Sequence, residues 1–364
     1  MRSTNRIILA SAGSGKTTLI VDEAHGARAA ILTYTINNTS EIRTKTYERV
    51  GFIPPNLTIN TWYAFLLKHL IRPYQNCLYS SRVARICFVQ GSSAKWSKAT
   101  DIERHYFGRP GRIYVDKVSK FACEVIRRTR GLPLQRLEEI FDEIYIDEIQ
   151  DLAAYDLELL ELLLNSGIRV TLVGDHRQAT FSTNKASKNK KYARSRIIDK
   201  FEEWKRVGLC ELQYQYHSHR CAQAICDYAD KLHPGLPKTI SFNKNITGHD
   251  GVFCIRRSQV SKYIASFHPQ VLRYNRKQKE LPGNPINFGN AKGMTFARTL
   301  IFPHKALEQY LMTDNIQDAG KEIAKIYVAI TRAQQSTVFV IPDGAKPASV
   351  PIFEAYAFNA VSGQ

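Results

Sequence analysis

Ile7-Ile8-Leu9-Ala10-Ser11-Ala12-Gly13-Ser14-Gly15-Lys16-Thr17-Thr18 is the stretch from which the fold can be read. Ile7 to Leu9 predict a short buried strand, Ala10 to Gly15 are small and glycine-containing, and Lys16-Thr17-Thr18 opens a helix. A loop without bulky side chains lets successive backbone N–H groups converge on phosphate oxygens, at a helix N-terminus whose dipole also favours anions. The pattern departs from G-x-x-x-x-G-K-[ST] at its first position, where Ala10 stands. Strand, loop and helix in this order predict a nucleotide phosphate site made by Ala12, Gly13, Ser14, Gly15, Lys16, Thr17 and Thr18. Lys16 would reach the β- and γ-phosphates and the Thr17 hydroxyl would ligate Mg²⁺.

The 364 residues have room for two or three domains with separate cores. No apolar run approaches the ~20 residues of a membrane span, and no basic-then-apolar leader precedes the loop. The expectation is a cytoplasmic protein with no membrane partner. Seven cysteines lie scattered, without a CxxC pair or zinc-like histidine spacing, and read as reduced, buried small side chains. A formal charge of +18 suits a polyanion partner, most simply nucleic acid. The charge is concentrated. Between Ile71 and Leu137 fourteen Lys and Arg stand against four acids, an excess of ten, which favours a binding surface over a merely solvated one.

Further strands are predicted at Ala29 to Thr35, Leu57 to Thr61, Ile144 to Glu148 and Arg169 to Val173. A polar turn, Asn37 to Ser40, leads to a charged helix from near Glu41, another helix starts at Trp62-Tyr63-Ala64-Phe65, and a third spans Leu152 to Leu164. Strands alternating with helices imply a parallel α/β sheet. The basic segment 71–137 reads as a mostly helical insert. A second α/β unit begins near Arg206, with a helix at Cys221 to Leu232 and strands near Val252, Val271, Thr299 and Thr337.

Ile146-Asp147-Glu148-Ile149-Gln150-Asp151 closes an apolar strand with adjacent carboxylates. In phosphoryl transfer one such group holds Mg²⁺ and the other polarises the attacking water, which assigns Asp147 to the metal and Glu148 to the base. Thr171-Leu172-Val173-Gly174-Asp175-His176-Arg177-Gln178 is a second strand ending in a polar loop. Gln178 is placed to sense the γ-phosphate, and Phe181 offers a ring for a base to stack on.

Taken together these stretches resemble motifs I, II and III of superfamily 1A DNA helicases of the UvrD/Rep/PcrA type. The likeness continues in order. Thr33-Tyr34-Thr35 through Glu41-Ile42 is similar to motif Ia, and Thr61-Trp62-Tyr63-Ala64-Phe65 to motif Ib. His219-Arg220-Cys221-Ala222-Gln223-Ala224-Ile225 is similar to motif IV, Gly289 through Lys292-Gly293 to Phe296 to motif V, and Tyr327-Val328-Ala329-Ile330-Thr331-Arg332-Ala333 to motif VI. The resemblance covers about Ile7 to Val340.

It implies two RecA-like P-loop domains with parallel sheets: domain 1A from 1–70 and 138–205, a small basic 1B-like insert at 71–137, and domain 2A at 206–364. ATP with Mg²⁺ would lie between the domains, with Arg220 and Arg332 meeting the γ-phosphate. His219 and Gly293 would complete the nucleotide contacts. Thr35, Trp62, Tyr63 and Phe181 would grip single-stranded DNA or a single-strand/duplex junction. The implied function is an ATP-dependent helicase or translocase, 3′ to 5′. An alternative is a strand- or end-sensing ATPase that gates a partner nuclease in DNA repair or antiviral defence.

This chain departs from the family pattern in several places. Only Met1 to Arg6 precede the first strand, where the glutamine motif would stand. His219 occupies the place of an adenine-stacking Tyr, Thr295 that of a Glu, Gly289 and Trp62 those of His. Only about seventy residues separate Arg220 from Lys292, so a full 2B domain is lacking.

Overall fold

The computed structural model describes residues 4–89, 91–180, 188–192 and 196–354. They form two compact units. The first is built from the described residues of Met1–Leu9 and Lys16–Tyr214, the second from those of Ala10–Gly15 and Gln215–Gln364. No helix among the described residues is long and apolar enough to cross a membrane.

The first unit begins with β1 (Arg6–Ala10), β2 (Ala29–Thr33) and β3 (Leu57–Thr61). The basic insert supplies β4 (Arg85–Cys87), β5 (Phe107–Arg109) and β6 (Arg112–Tyr114). The chain then returns through β7 (Glu143–Ile146), β8 (Arg169–Gly174) and β9 (Glu211–Gln215). The main sheet has the order β3-β2-β7-β8-β1-β9, and the pairs from β3 to β1 are parallel. In β2 every residue of Ala-Ala-Ile-Leu-Thr is buried. Such a run without alternation is what a parallel strand covered on both faces requires.

One local expectation is corrected and another is extended. The helix expected near Glu41 starts at Ile36 and runs to Val50, because the Thr35 hydroxyl accepts a hydrogen bond from the Asn38 N–H at 3.1 Å and caps it. The asparagines and serine read as a turn are therefore its first turns. The insert has more helix than strand and also carries a small sheet that the sequence pattern did not show. It pairs β4 with β6 in parallel and β5 with β6 in antiparallel, and its helices include Ile102–Tyr106 and Val118–Arg128. Gly111, at φ +68°, makes the β5–β6 turn, where an added Cβ would lie 2.8 Å from the Arg82 carbonyl. The described residues of the insert share the first unit's core. Tyr79, Tyr106, Phe107, Ile113 and Phe121 belong to the same cluster as Ile7, Leu9 and Ile146.

The second unit contains β10 (His217–Ser218), β11 (Ile240–Ser241), β12 (Gly251–Arg256), β13 (Gln270–Arg273), β14 (Ile286–Asn287), β15 (Phe296–Phe302) and β16 (Ala333–Ile341). Its main sheet, β12-β16-β15-β13-β14, is parallel throughout. Alternate residues serve opposite faces. Ile255, Val271, Leu300 and Val338 join one apolar cluster, and Cys254, Leu272, Ile301 and Phe339 join another. The first compact unit runs on to Tyr214, with β9 added to its sheet beside β1.

Asp156, with no exposure, ties the first unit's layers together. Its Oδ1 accepts from the Trp62 indole N–H at 2.8 Å and from the Ser119 hydroxyl. Asp156→Ala leaves both donors unpaired, and we expect a loss of about 1–3 kcal/mol per orphaned group. Urea unfolding of this variant beside Trp62→Phe tests the assignment. Equal stability of Asp156→Ala and wild type would refute it.

Candidate nucleotide site

Parallel order decides what meets in the first unit. β7, β8 and β1 are neighbours, so the chain leaves all three at one edge of the sheet, the edge where α/β folds bind ligands. After β1 comes the glycine loop and then the helix Lys16–Ala24, after β7 come Asp147 and Glu148, and after β8 comes Asp175. Asp147 is 7% exposed, and its backbone N–H donates to the Leu32 carbonyl at 2.9 Å. Its carboxylate accepts from the Glu148 N–H at 2.8 Å, and Glu148 itself sits at φ +57°. That left-handed backbone on a non-glycine residue is strain of the kind that clusters at working sites.

A hydrogen-bonded chain links these groups. The Gln150 amide donates to the Glu148 carboxylate, and its carbonyl oxygen accepts from the Asp175 N–H at 3.0 Å. The Gln178 amide then donates to Asp175 Oδ2 at 2.8 Å. Burial works against a charge on Asp175, but Lys16, Arg177 and the Gln178 hydrogen bond outweigh it and hold the carboxyl below its ordinary range. Lys16, Glu148 and Gln178 are thus brought together, through Gln150 and Asp175. Gly174 makes room for the link, because a Cβ there would lie 2.2 Å from Gln150 Oε1.

The loop 10–15 is described with the second unit. Gly13 and Gly15 have φ of +74° and +88°, the left-handed conformation that a tight phosphate loop demands of glycine. Gly13 O accepts from the His219 N–H at 2.8 Å, and the Ala12 N–H donates to the Tyr327 hydroxyl at 3.4 Å. The Ser14 hydroxyl is buried and has no partner among the described residues, so the loop retains a group suited to an anion's oxygen. Thr17 is half-buried and Thr18 exposed on the helix that follows. Phosphates fit such residues. Among the described residues no three His, Cys, Asp or Glu side chains gather to hold a metal alone. Mg²⁺ would need no such cage, because it keeps several waters and takes one or two carboxylates beside substrate phosphates; Thr17 and Asp147 are the residues that would offer it oxygens.

Thr331 collects the two candidate arginines, Arg220 and Arg332. Arg220 Nη1 donates to the Thr331 carbonyl at 3.3 Å, and Arg332 Nη2 to the Thr331 hydroxyl at 3.4 Å. Arg332 is 2% exposed and is aimed by further bonds to the Val328 and Met294 carbonyls at 3.1 and 3.3 Å. Both guanidinium groups act on Cys221, whose thiol is pulled below its usual range first by a hydrogen bond from Cys226 and then by these two charges. Gly293, at φ +85°, turns the chain into β15. His219 is exposed and packs edge-on to Phe242, with ring centres 5.2 Å apart.

The expected nucleic-acid contacts fare differently. Trp62 is 1% exposed with its N–H satisfied, and Tyr63 is 7% exposed against Tyr34, so neither offers a ring face to a base. Their place after β3 turns them into the core. Thr35 is exposed and serves as a helix cap. Phe181 lies outside the described residues. Sequence reasoning named neither Asp175 nor Gln150 as a site residue, though both stand inside quoted motifs. It missed Tyr327 and Phe242 as well, the latter an unremarkable aromatic in a loop.

Residues 115–192 match the family model of the UvrD/REP helicase N-terminal domain. The matched span holds Asp147, Glu148, Asp175 and Gln178, and it supports the superfamily 1 helicase of UvrD type that the motifs resemble. Similar solved structures include arterivirus nonstructural protein 10 (helicase) in complex with DNA, at 16% identity and TM-score 0.47, covering 93% of this chain and 61% of that one. The PRRSV helicase matches at 15% identity and TM-score 0.46, covering 93% and 52%. This chain therefore spans about half to three fifths of their length. The search of curated proteins finds no match.

Because the folded state holds Asp175 below the ordinary 3.8, its ionisation adds stability above that value, lost as pH falls through the lower folded value. Removing the Lys16 charge raises the folded value and narrows the window. Lys16→Met is therefore expected to shift the acid-unfolding midpoint to higher pH, as read by circular dichroism. An unshifted midpoint would remove the coupling.

Proposed function

We propose that the chain is an ATP-dependent helicase or translocase that moves on single-stranded DNA and hydrolyses ATP with Mg²⁺. One observation carries this reading: the linkage of Lys16, Glu148 and Gln178 through Gln150 and the buried Asp175. A generic phosphate site needs the lysine and one carboxylate. Wiring the base to a separate glutamine sensor is what a nucleotide-driven motor needs.

In this reading the loop 12–15 and Lys16 hold the phosphates. Thr17 and Asp147 would hold Mg²⁺, which neutralises phosphate charge when bound. Glu148 accepts a proton from the water that attacks the γ-phosphorus, and the bond to the bridging oxygen of ADP breaks. Gln178 registers the loss of the γ-phosphate and passes it along its bond to Asp175. Arg220 and Arg332 would counter the charge on the transferring group. His219, with Phe242, is the aromatic pair available to the base. DNA, as a single strand or a junction, is held chiefly by the charge excess of the insert, with Thr35 at an exposed helix start. The 3′-to-5′ direction is taken from the motif resemblance.

Lys16→Ala is expected to abolish DNA-stimulated hydrolysis, and substantial residual turnover would sink the assignment. Glu148→Gln should keep nucleotide binding while kcat falls by about 10²–10⁴. Arg332→Lys, which retains the charge but not the fork, should lower kcat with little change in KM. Steady-state hydrolysis with and without single-stranded DNA reads all three, and strand displacement on tailed duplexes reads direction.

A further inference from the structure

The insert's charge is not spread evenly. Lys95, Lys117 and Lys120, joined by Lys188, line a cavity of about 260 Å³ together with His105 and Asp116. Asp116 is already engaged. It accepts from the Ser93 N–H at 3.1 Å and the Ser93 hydroxyl at 2.6 Å, and pairs with Lys117 at 3.5 Å. Lys188 pairs with Glu158 at 3.6 Å. Lys120 and Lys95 have no ion pair among the described residues. The Lys120 ammonium instead lies 2.9 Å from His105 Nε2 and 5.7 Å from the ring centres of both Tyr106 and Tyr155.

Such crowding of cations is costly. Burial and then the neighbouring Lys117 lower the pKa of Lys120, and burial, Lys120 and Lys117 do the same to His105. An anion in the cavity relieves both. Trp96 follows Lys95 directly and is 98% exposed, whereas Trp62 and Trp204 are each 1% exposed. A bare indole between Lys95 and Lys98 provides a stacking surface beside phosphate-binding charge.

We propose that this cavity is a phosphate pocket for a nucleic-acid strand, with Lys95, Lys117 and Lys120 on one phosphate group and Trp96 stacked on an adjacent base. The inference rests on the nucleic-acid motor reading and names the part of the insert that performs the grip. An internal phosphodiester and a terminal phosphate monoester both present charged non-bridging oxygens to these lysines.

Trp96 is the exposed indole of three, so acrylamide-accessible emission reports it selectively. The full chain, without ATP, is titrated with labelled single-stranded oligonucleotides carrying a 5′-phosphate, a 3′-phosphate or neither, at several salt concentrations. Binding is expected to quench the emission. Trp96→Ala should remove the quench and weaken binding about ten-fold. Lys117→Gln and Lys120→Gln should each weaken it about ten-fold at low salt and lower the slope of log K against log salt by about 1. Preference for one phosphorylated end identifies a terminal monoester, and equal affinities identify an internal phosphodiester. Lys95→Gln and Trp96→Ala alter exposed positions, so they keep the test open if the half-buried lysine variants misfold. Unchanged affinity, slope and emission, at DNA concentrations that stimulate hydrolysis, would overturn the pocket and leave the motor standing. Quenching and lysine dependence in a chain whose hydrolysis ignores DNA would keep the pocket and remove the motor.

Discussion

The first unit depends on a carboxylate with almost no access to water. Asp175 is 1% exposed, and an isolated buried carboxylate of that kind would protonate or destabilise the fold. It stays ionised because Lys16, Arg177 and Gln178 surround it. Those partners arrive from two strand ends, β1 and β8, and Gln150 after β7 fixes the backbone beneath. Register among three parallel strands is therefore set by electrostatics as much as by apolar packing. A slip of one residue would strand a buried charge, a penalty that specifies a single arrangement.

The same economy runs through the second unit. Arg332 is almost wholly buried, yet its guanidinium is spread over the carbonyls of Val328 and Met294 and the hydroxyl of Thr331. These acceptors fix the plane of the guanidinium and add no charge of their own. Arg220 reaches the same residue from a different segment, so the two cations are placed by one threonine.

Aromatic residues divide by neighbourhood and not by type. Trp62 follows a sheet strand and is drawn beneath the helix Tyr155–Leu164 by the Asp156 acceptor. Trp96 lies in a polar stretch without an apolar face to join and stays in solvent. Each has a ring able to stack, but only the second has a free face. The insert shares the first unit's core through Phe107 and Phe121, which leaves its lysines on a rigid support.

Much of this was legible in the sequence. The loop Ala10–Gly15, the acidic pair 147–148 and the Gly174-to-Gln178 segment are local patterns, because strand-end chemistry must be contiguous in the chain to work. Period and apolar runs likewise marked most strands to within a few residues. The insert's small sheet was not legible, since β4, β5 and β6 are three residues each and carry no usable period. Nor was the burial of Trp62 and Tyr63, which depends on Asp156 more than ninety residues away. The sequence by itself determined which groups can do chemistry on phosphate. Tertiary structure alone decided that Asp175 and Gln150 join them and that four lysines share one cavity, because hydrogen bonds and Coulomb forces act through space and leave no mark on residue order.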